Sequence, residues 1–281
     1  MRKPGRIILL IVFFLLLAVG LITLFVNAFT AGNEHSENVV FEEEIRDILI
    51  SAENVDVKIL PSENESTTIK LSESNDDFNL STRLEGTELT VEVSETSSFL
   101  NSRFLDTSGL TIHVPLVNSR TLDIQNGNGN IIISDIEPYE FSAYTANGKI
   151  EIQDVSAKYF TADTGNGDIS VRESDAQMVK LSSANGNIHL KNVHAFTDLM
   201  AISSNGNIDM QVSDLAYSLE FKASNGDITI QTENKPMQGS IEATASNGTI
   251  DIFGDDSERI TFDGTFPRLI VDAVNGDILV E

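Results

Sequence analysis

Asn147-Gly148-Lys149-Ile150-Glu151-Ile152 returns as Asn166-Gly167-Asp168-Ile169-Ser170-Val171 and again as Asn185-Gly186-Asn187-Ile188-His189-Leu190. The pattern is Asn-Gly, a polar residue, Ile, any residue, then an apolar residue. It occurs eight times, beginning at Asn128, Asn147, Asn166, Asn185, Asn205, Asn225, Asn247 and Asn275. Its glycines, Gly129, Gly148, Gly167, Gly186, Gly206, Gly226, Gly248 and Gly276, follow one another at 19, 19, 19, 20, 20, 22 and 28 residues. Spacing this regular marks a repeat.

Alternation after each Asn-Gly, as in Ile150-Glu151-Ile152, sends every second side chain to one face, the signature of a half-buried strand. The residues before it alternate too, as in Phe141-Ser142-Ala143-Tyr144-Thr145, and shrink toward the corner. Ile136, Val155, Val193 and Leu215 supply a third apolar position in the return segment. Asn and Gly at the corner are expected to provide left-handed backbone.

Two architectures satisfy this pattern. Asn-Gly between alternating strands is a strong hairpin signal, and an antiparallel turn at Asn205-Gly206 would set Ser203 opposite Ile208. Stacking each copy on the next as a coil of a solenoid better explains the constant period, and it aligns Asn on Asn into an amide ladder. The expected fold is all-β: a right-handed β-solenoid with residues 121–281 as regular coils and 40–120 as irregular capping coils.

The 281 residues carry 18 Lys+Arg against 43 Asp+Glu, a net charge of −25, with no Cys and no Trp. Disulfides, thiolate metal sites and Cys nucleophiles are excluded. Nucleic acid is not expected as a partner, because phosphate binding needs clustered cations. Ile7 to Val26 is uncharged and long enough to span a bilayer as a helix. Arg2, Lys3 and Arg6 precede it and Glu34, Glu37, Glu42, Glu43 and Glu44 follow, which puts residues 1–6 in the cytoplasm, 7–29 in the membrane, 30–39 in a linker and the rest outside. A cleaved signal peptide is the competing reading, opposed by the length of the apolar run.

The segment Ala52-Glu53-Asn54-Val55-Asp56-Val57-Lys58-Ile59, the strand Leu110-Thr111-Ile112-His113-Val114-Pro115, the single anchor and the serial Asn-Gly-x-Ile strands together resemble the bacterial putative-adhesin β-strand-repeat family of the LiaG-like envelope type, over roughly residues 40–281. The resemblance implies a right-handed β-solenoid on the outer side of a bacterial membrane. It implies no catalytic or binding residues.

The residues themselves likewise offer no candidate catalytic, cofactor or metal site. His35, His113, His189 and His194 are scattered, and His189 falls at an outward position. Ser183, Ser204, Ser224 and Ser246 precede corners without a Gly-x-Ser-x-Gly elbow and are expected to be turn residues. Asp168, Asp227 and Asp277 occupy one place in the third, sixth and eighth copies, so stacking in chain order would hold them apart, on the order of 10–15 Å, beyond the reach of a glycosidase pair. Calcium binding of the nonapeptide kind is opposed by the ~20-residue period. The sequence therefore points to a non-enzymatic envelope module, with cell-wall polymer or another envelope protein as partner. An accessory role in envelope-stress sensing and a carbohydrate-active β-helix enzyme are the alternatives.

Protease added to intact cells is expected to digest everything beyond Asn27 while the protein stays membrane-bound after salt washing. Soluble release with an N-terminus at Phe29 would show that the segment is cleaved instead.

Overall fold

The computed structural model describes residues 35–73, 78–96, 108–115 and 120–281. The expected anchor, 7–29, lies outside them. Among the described residues there is no helix long and apolar enough to cross a membrane.

The repeats form coils of two main strands, and the strands of successive coils pair in parallel. After β8 (Thr121–Asn126) and β9 (Ile131–Ser134) come β10 (Glu140–Thr145), β11 (Ile150–Gln153) and β12 (Ser156–Thr164). In β13 (Ile169–Asn185) and β14 (Ile188–Asn205) the second strand of one coil runs straight into the first strand of the next, and β15 (Ile208–Val212), β16 (Ser218–Asn225) and β17 (Ile228–Thr232) continue the stack. Ile131, Ile150, Ile169, Ile188, Ile208 and Ile228 align in one parallel ladder, and Phe141 and Phe160 in the other. Pairing across each Asn-Gly is absent, so the hairpin reading is excluded.

Like residues stack inward. The Ile row is fully buried, as are Ile136, Val155 and Val193 in the return segment, with Leu215 nearly so. Phe141 and Phe160 stack with ring centres 4.9 Å apart. Each buried large aliphatic side chain contributes about 1.5–3 kcal/mol, so the rows supply the main stabilisation. The taper toward the corner ends in Thr145, Thr164, Ser183 and Ser203, buried with their hydroxyls donating to the carbonyls of Gly129, Gly148, Gly167 and Gly186 at 2.9–3.0 Å. Ser183 is thus an interior bonding residue, whereas Ser204, Ser224 and Ser246 are exposed.

Coil order departs from chain order at both ends. At the start, β2 (Asp47–Ala52) and β3 (Asp56–Pro61) lie between the β8/β9 coil and a coil of β6 (Glu88–Glu95) and β7 (Gly109–Val114). At the finish, β21 (Asp263–Asn275) and β22 (Ile278–Val280) insert between β16/β17 and the coil of β18 (Gln238–Asn247) and β19 (Ile250–Ile252). The outermost coils are covered by antiparallel strands: β5 (Phe78–Glu85) on β6, β4 (Thr67–Glu73) on β7 with β1 (His35–Phe41) beyond it, and β20 (Arg259–Thr261) on β18. Covered edges offer fewer free backbone groups for aggregation.

The corners differ from expectation in their reason. Gly206 and Gly226 have φ of 159° and 157°, near the extended limit, and the other repeat glycines have no positive φ. Left-handed backbone occurs instead at the far end of the second strand, at Asp135, Asp154, Glu173 and Asn192, with φ of 47–57°. What the Asn-Gly corner requires is close approach. A Cβ on Gly148, Gly167 or Gly186 would lie 1.9–2.0 Å from the carbonyl oxygen of the glycine one coil below.

Gly167→Ala is therefore expected to cost about 3 kcal/mol or more, as a clash with backbone that cannot move aside. Asn207→Asp should stay within about 0.5 kcal/mol, since Asp227 already fills the equivalent place. Urea unfolding of the detergent-solubilised chain, followed by circular dichroism, measures both. Equal effects would contradict the close-approach account.

Candidate binding face

The Asn of each corner donates its amide to the Asn of the coil below. Asn128 bonds Asn54, Asn147 bonds Asn128, and the chain continues through Asn166, Asn185, Asn205 and Asn225 at 2.6–2.9 Å. It then passes to Asn275 and ends at Asn247, at 2.9 Å each, following the spatial order of the coils. A second ladder runs beside it, in which the residue after Gly accepts the next coil's backbone N–H: Asn130 from Lys149, Asp168 from Asn187, Asn187 from Asn207, and Asn207 from Asp227. Short Asx side chains suit this local capping. Lys149 has no acceptor to offer and interrupts the series, its ammonium lying 3.7 Å from Asp168.

Interleaving corrects the expected carboxylate separation. Asp227 and Asp277 lie on adjacent coils, and Asp227 accepts the N–H of Asp277 at 2.8 Å. Asp277 in turn accepts from the backbone N–H and hydroxyl of Thr249, which hold its carboxyl below the usual range. A general acid needs the opposite shift. The pair caps backbone and is not placed as a proton donor.

His189 points outward, as expected, and lies 3.1 Å from Asp209 on the next coil. His194 lies 3.4 Å from Asp175 and edge-on to Tyr217. The buried Tyr217 hydroxyl donates to the Val193 carbonyl, and burial pushes its pKa well up. Glu151 and Asp209 share one outward row two coils short of contact, while Glu220 lies on the opposite ladder, bonded to Lys222. The outward acids therefore do not form one continuous face.

The outward surface of the β12–β21 ladder has a different character. It opens at Tyr139 and Tyr159, whose rings meet edge-to-face at 6.3 Å with the Lys158 ammonium about 5 Å from each centre and 2.7 Å from the Tyr139 hydroxyl. Those contacts raise the Lys158 pKa. Tyr159 stands beside Met178, and Lys180, Met200, Glu220 and Ile270 follow in register across four coils. Met178, Lys180, Met200, Glu220 and Ile270 line a groove of about 420 Å³ together with Asp198, Ser218 and Arg268. Arg268 is fixed by Glu242 at 2.7 Å and holds that carboxyl below its ordinary range. Asp163, also on this face, has its pKa raised by burial against the opposing pull of Lys180.

The strip contains no nucleophile or metal-ligand pattern, yet its signal is in the sequence. In Leu199-Met200-Ala201-Ile202-Ser203 the inward phase is Leu, Ala and Ser, so Met200 and Ile202 are apolar residues at outward positions. The step from a 19- to a 20-residue period has a structural counterpart here too. Registration shifts between Ala176 and Met178, and the added residue in β14 leaves Phe196 75% exposed.

No curated protein matches the chain. Among solved structures, a putative adhesin from Bacteroides fragilis is 14% identical with a TM-score of 0.54, covering 88% of this chain and 97% of its own. A putative adhesin from Parabacteroides distasonis is 10% identical with a TM-score of 0.53, covering 88% and 98%. At these identities the likeness concerns the fold. The description Toastrack DUF4097 matches residues 45–266, most of the chain, and the protein belongs to that family.

Proposed function

We propose that the protein is a non-enzymatic binding module of the bacterial cell envelope, held by residues 7–29 with its N-terminus in the cytoplasm and its right-handed coil stack outside the membrane. The observation that supports this reading is the outward strip from Tyr139 to Ile270. Tyr and Met at solvent-facing positions are costly unless covered, and they are the side chains that adaptable protein interfaces favour.

Charge selects the partner. A chain of −25 repels anionic lipids and anionic wall polymers and attracts cationic ones at long range. The groove itself is mixed in charge, with Met178, Met200 and Ile270 available to apolar side chains. Both features suit a basic, partly apolar segment of another envelope protein.

A photo-crosslinking residue at Met200 of the full anchored chain should give protein adducts in cells, and one at Lys191 on the opposite ladder should not. Ile270→Glu should weaken capture at least about tenfold, the cost of one lost apolar anchor, and added salt should weaken it further. Adducts confined to Lys191, or to glycan, would contradict the assignment. Turnover of cell-wall glycan abolished by one Asp→Asn change would make the protein an enzyme instead.

A further inference from the structure

The chain holds nine Asn-Gly dipeptides, at the eight repeat corners and at Asn126-Gly127. Asn-Gly is the dipeptide most prone to spontaneous deamidation, because glycine's unhindered backbone nitrogen can reach the preceding side-chain amide. The Gly nitrogen attacks Cγ, the new N–Cγ bond forms, the Cγ–Nδ2 bond breaks, and ammonia leaves with the proton from that nitrogen. Water then opens the succinimide to Asp or isoaspartate.

Every ladder Asn from Asn128 to Asn275 has its side chain held on both sides, donating to the Asn below and accepting from the Asn above, and in the coils of Asn205, Asn225 and Asn275 the glycine N–H is held as well. Asn205, Asn225 and Asn275 each donate to the Asn below and to a second, backbone acceptor, the carbonyls of Ala184, Ser204 and Ser224. Each also accepts from the Asn above, at 2.9 Å in all three cases. Their glycines are engaged as well: the N–H of Gly206 donates to the Asn225 carbonyl at 2.9 Å, that of Gly226 to Asn275 at 3.0 Å, and that of Gly276 to Asn247 at 3.2 Å. Reaction would require breaking several of these bonds together.

Asn247-Gly248 stands at the end of the stack, because the coil of β21 and β22 is inserted beneath it. Its amide makes the one bond to Asn275 at 2.9 Å. Among the described residues nothing donates to its side-chain oxygen, which sets it apart from the ladder Asn residues Asn128 to Asn275, and the N–H of Gly248, like those of Gly129, Gly148, Gly167 and Gly186, has no acceptor. Both residues are exposed. At the opposite end, Asn54 is followed by the β-branched Val55 and its amide donates to Glu95 at 2.9 Å. We infer that Asn247 is the preferred deamidation site of the folded protein, a modification that exchanges the terminal amide donor for a carboxylate beside the Asn275 oxygen.

The test is peptide mapping by mass spectrometry, with isoaspartate labelling, of the full chain in detergent incubated at mildly alkaline pH. Asn247 should convert at least about tenfold faster than Asn205, Asn225 or Asn275, the difference expected from one to two extra hydrogen bonds. In concentrated urea the rates should converge. An interior Asn reacting as fast as Asn247 in the folded protein would overturn the inference. So would a preference for Asn247 that persists in urea, since local sequence and not the ladder would then be its cause.

Discussion

The contact on which the structure depends is the approach of each corner glycine to the carbonyl of the glycine one coil below. Hydrogen-bonded strands lie about 4.8 Å apart, and at the corner the turning backbone of one coil presses on the next until no Cβ fits between them. Only that closeness lets the Thr and Ser hydroxyls reach the same carbonyls and the Asn amides meet in line. The core rows supply most of the stabilising free energy, but apolar rows alone would tolerate slippage. The polar ladders penalise it, because a shift by one residue would strand buried hydroxyls and turn every inward Ile outward.

A stack of identical coils has exposed ends, and antiparallel strands cover the outer coil at each: β4 and β5 over both strands at the start, and β20 over β18 at the finish. At the carboxyl end the sequence places β18 and β19 first and fills the gap beneath them with β21 and β22. The last residues of the chain are thus internal to the stack, while Asn247, earlier in sequence, is terminal in space. The same arrangement brings Asp227 and Asp277 together as backbone caps.

The fold was legible in the sequence wherever the repeat was regular. Period, alternation and like residues at like positions announced parallel coils, and the Asn ladder followed from their alignment. Corner glycines were recognised for the wrong reason, since a φ requirement and a close approach both read as invariant Gly in a single chain. Coil order was not legible, because the 22- and 28-residue spacings at Gly248 and Gly276 show that extra chain is present without showing where it returns. The binding strip was legible only through phase: Met200 and Ile270 are ordinary apolar residues until their neighbours fix which way they point.

The interleaved coil order is most directly tested by disulfide formation, which the absence of native Cys makes clean. Lys222, Asp272 and Thr244 occupy one outward row in that order, although Thr244 precedes Asp272 in the chain. Adjacent coils place Cα atoms at about 4.8 Å, within disulfide range, whereas alternate coils place them at about 10 Å. Mild oxidation should therefore link the Lys222→Cys, Asp272→Cys pair and leave the Lys222→Cys, Thr244→Cys pair reduced. The reverse outcome would mean that the coils stack in the order of the chain.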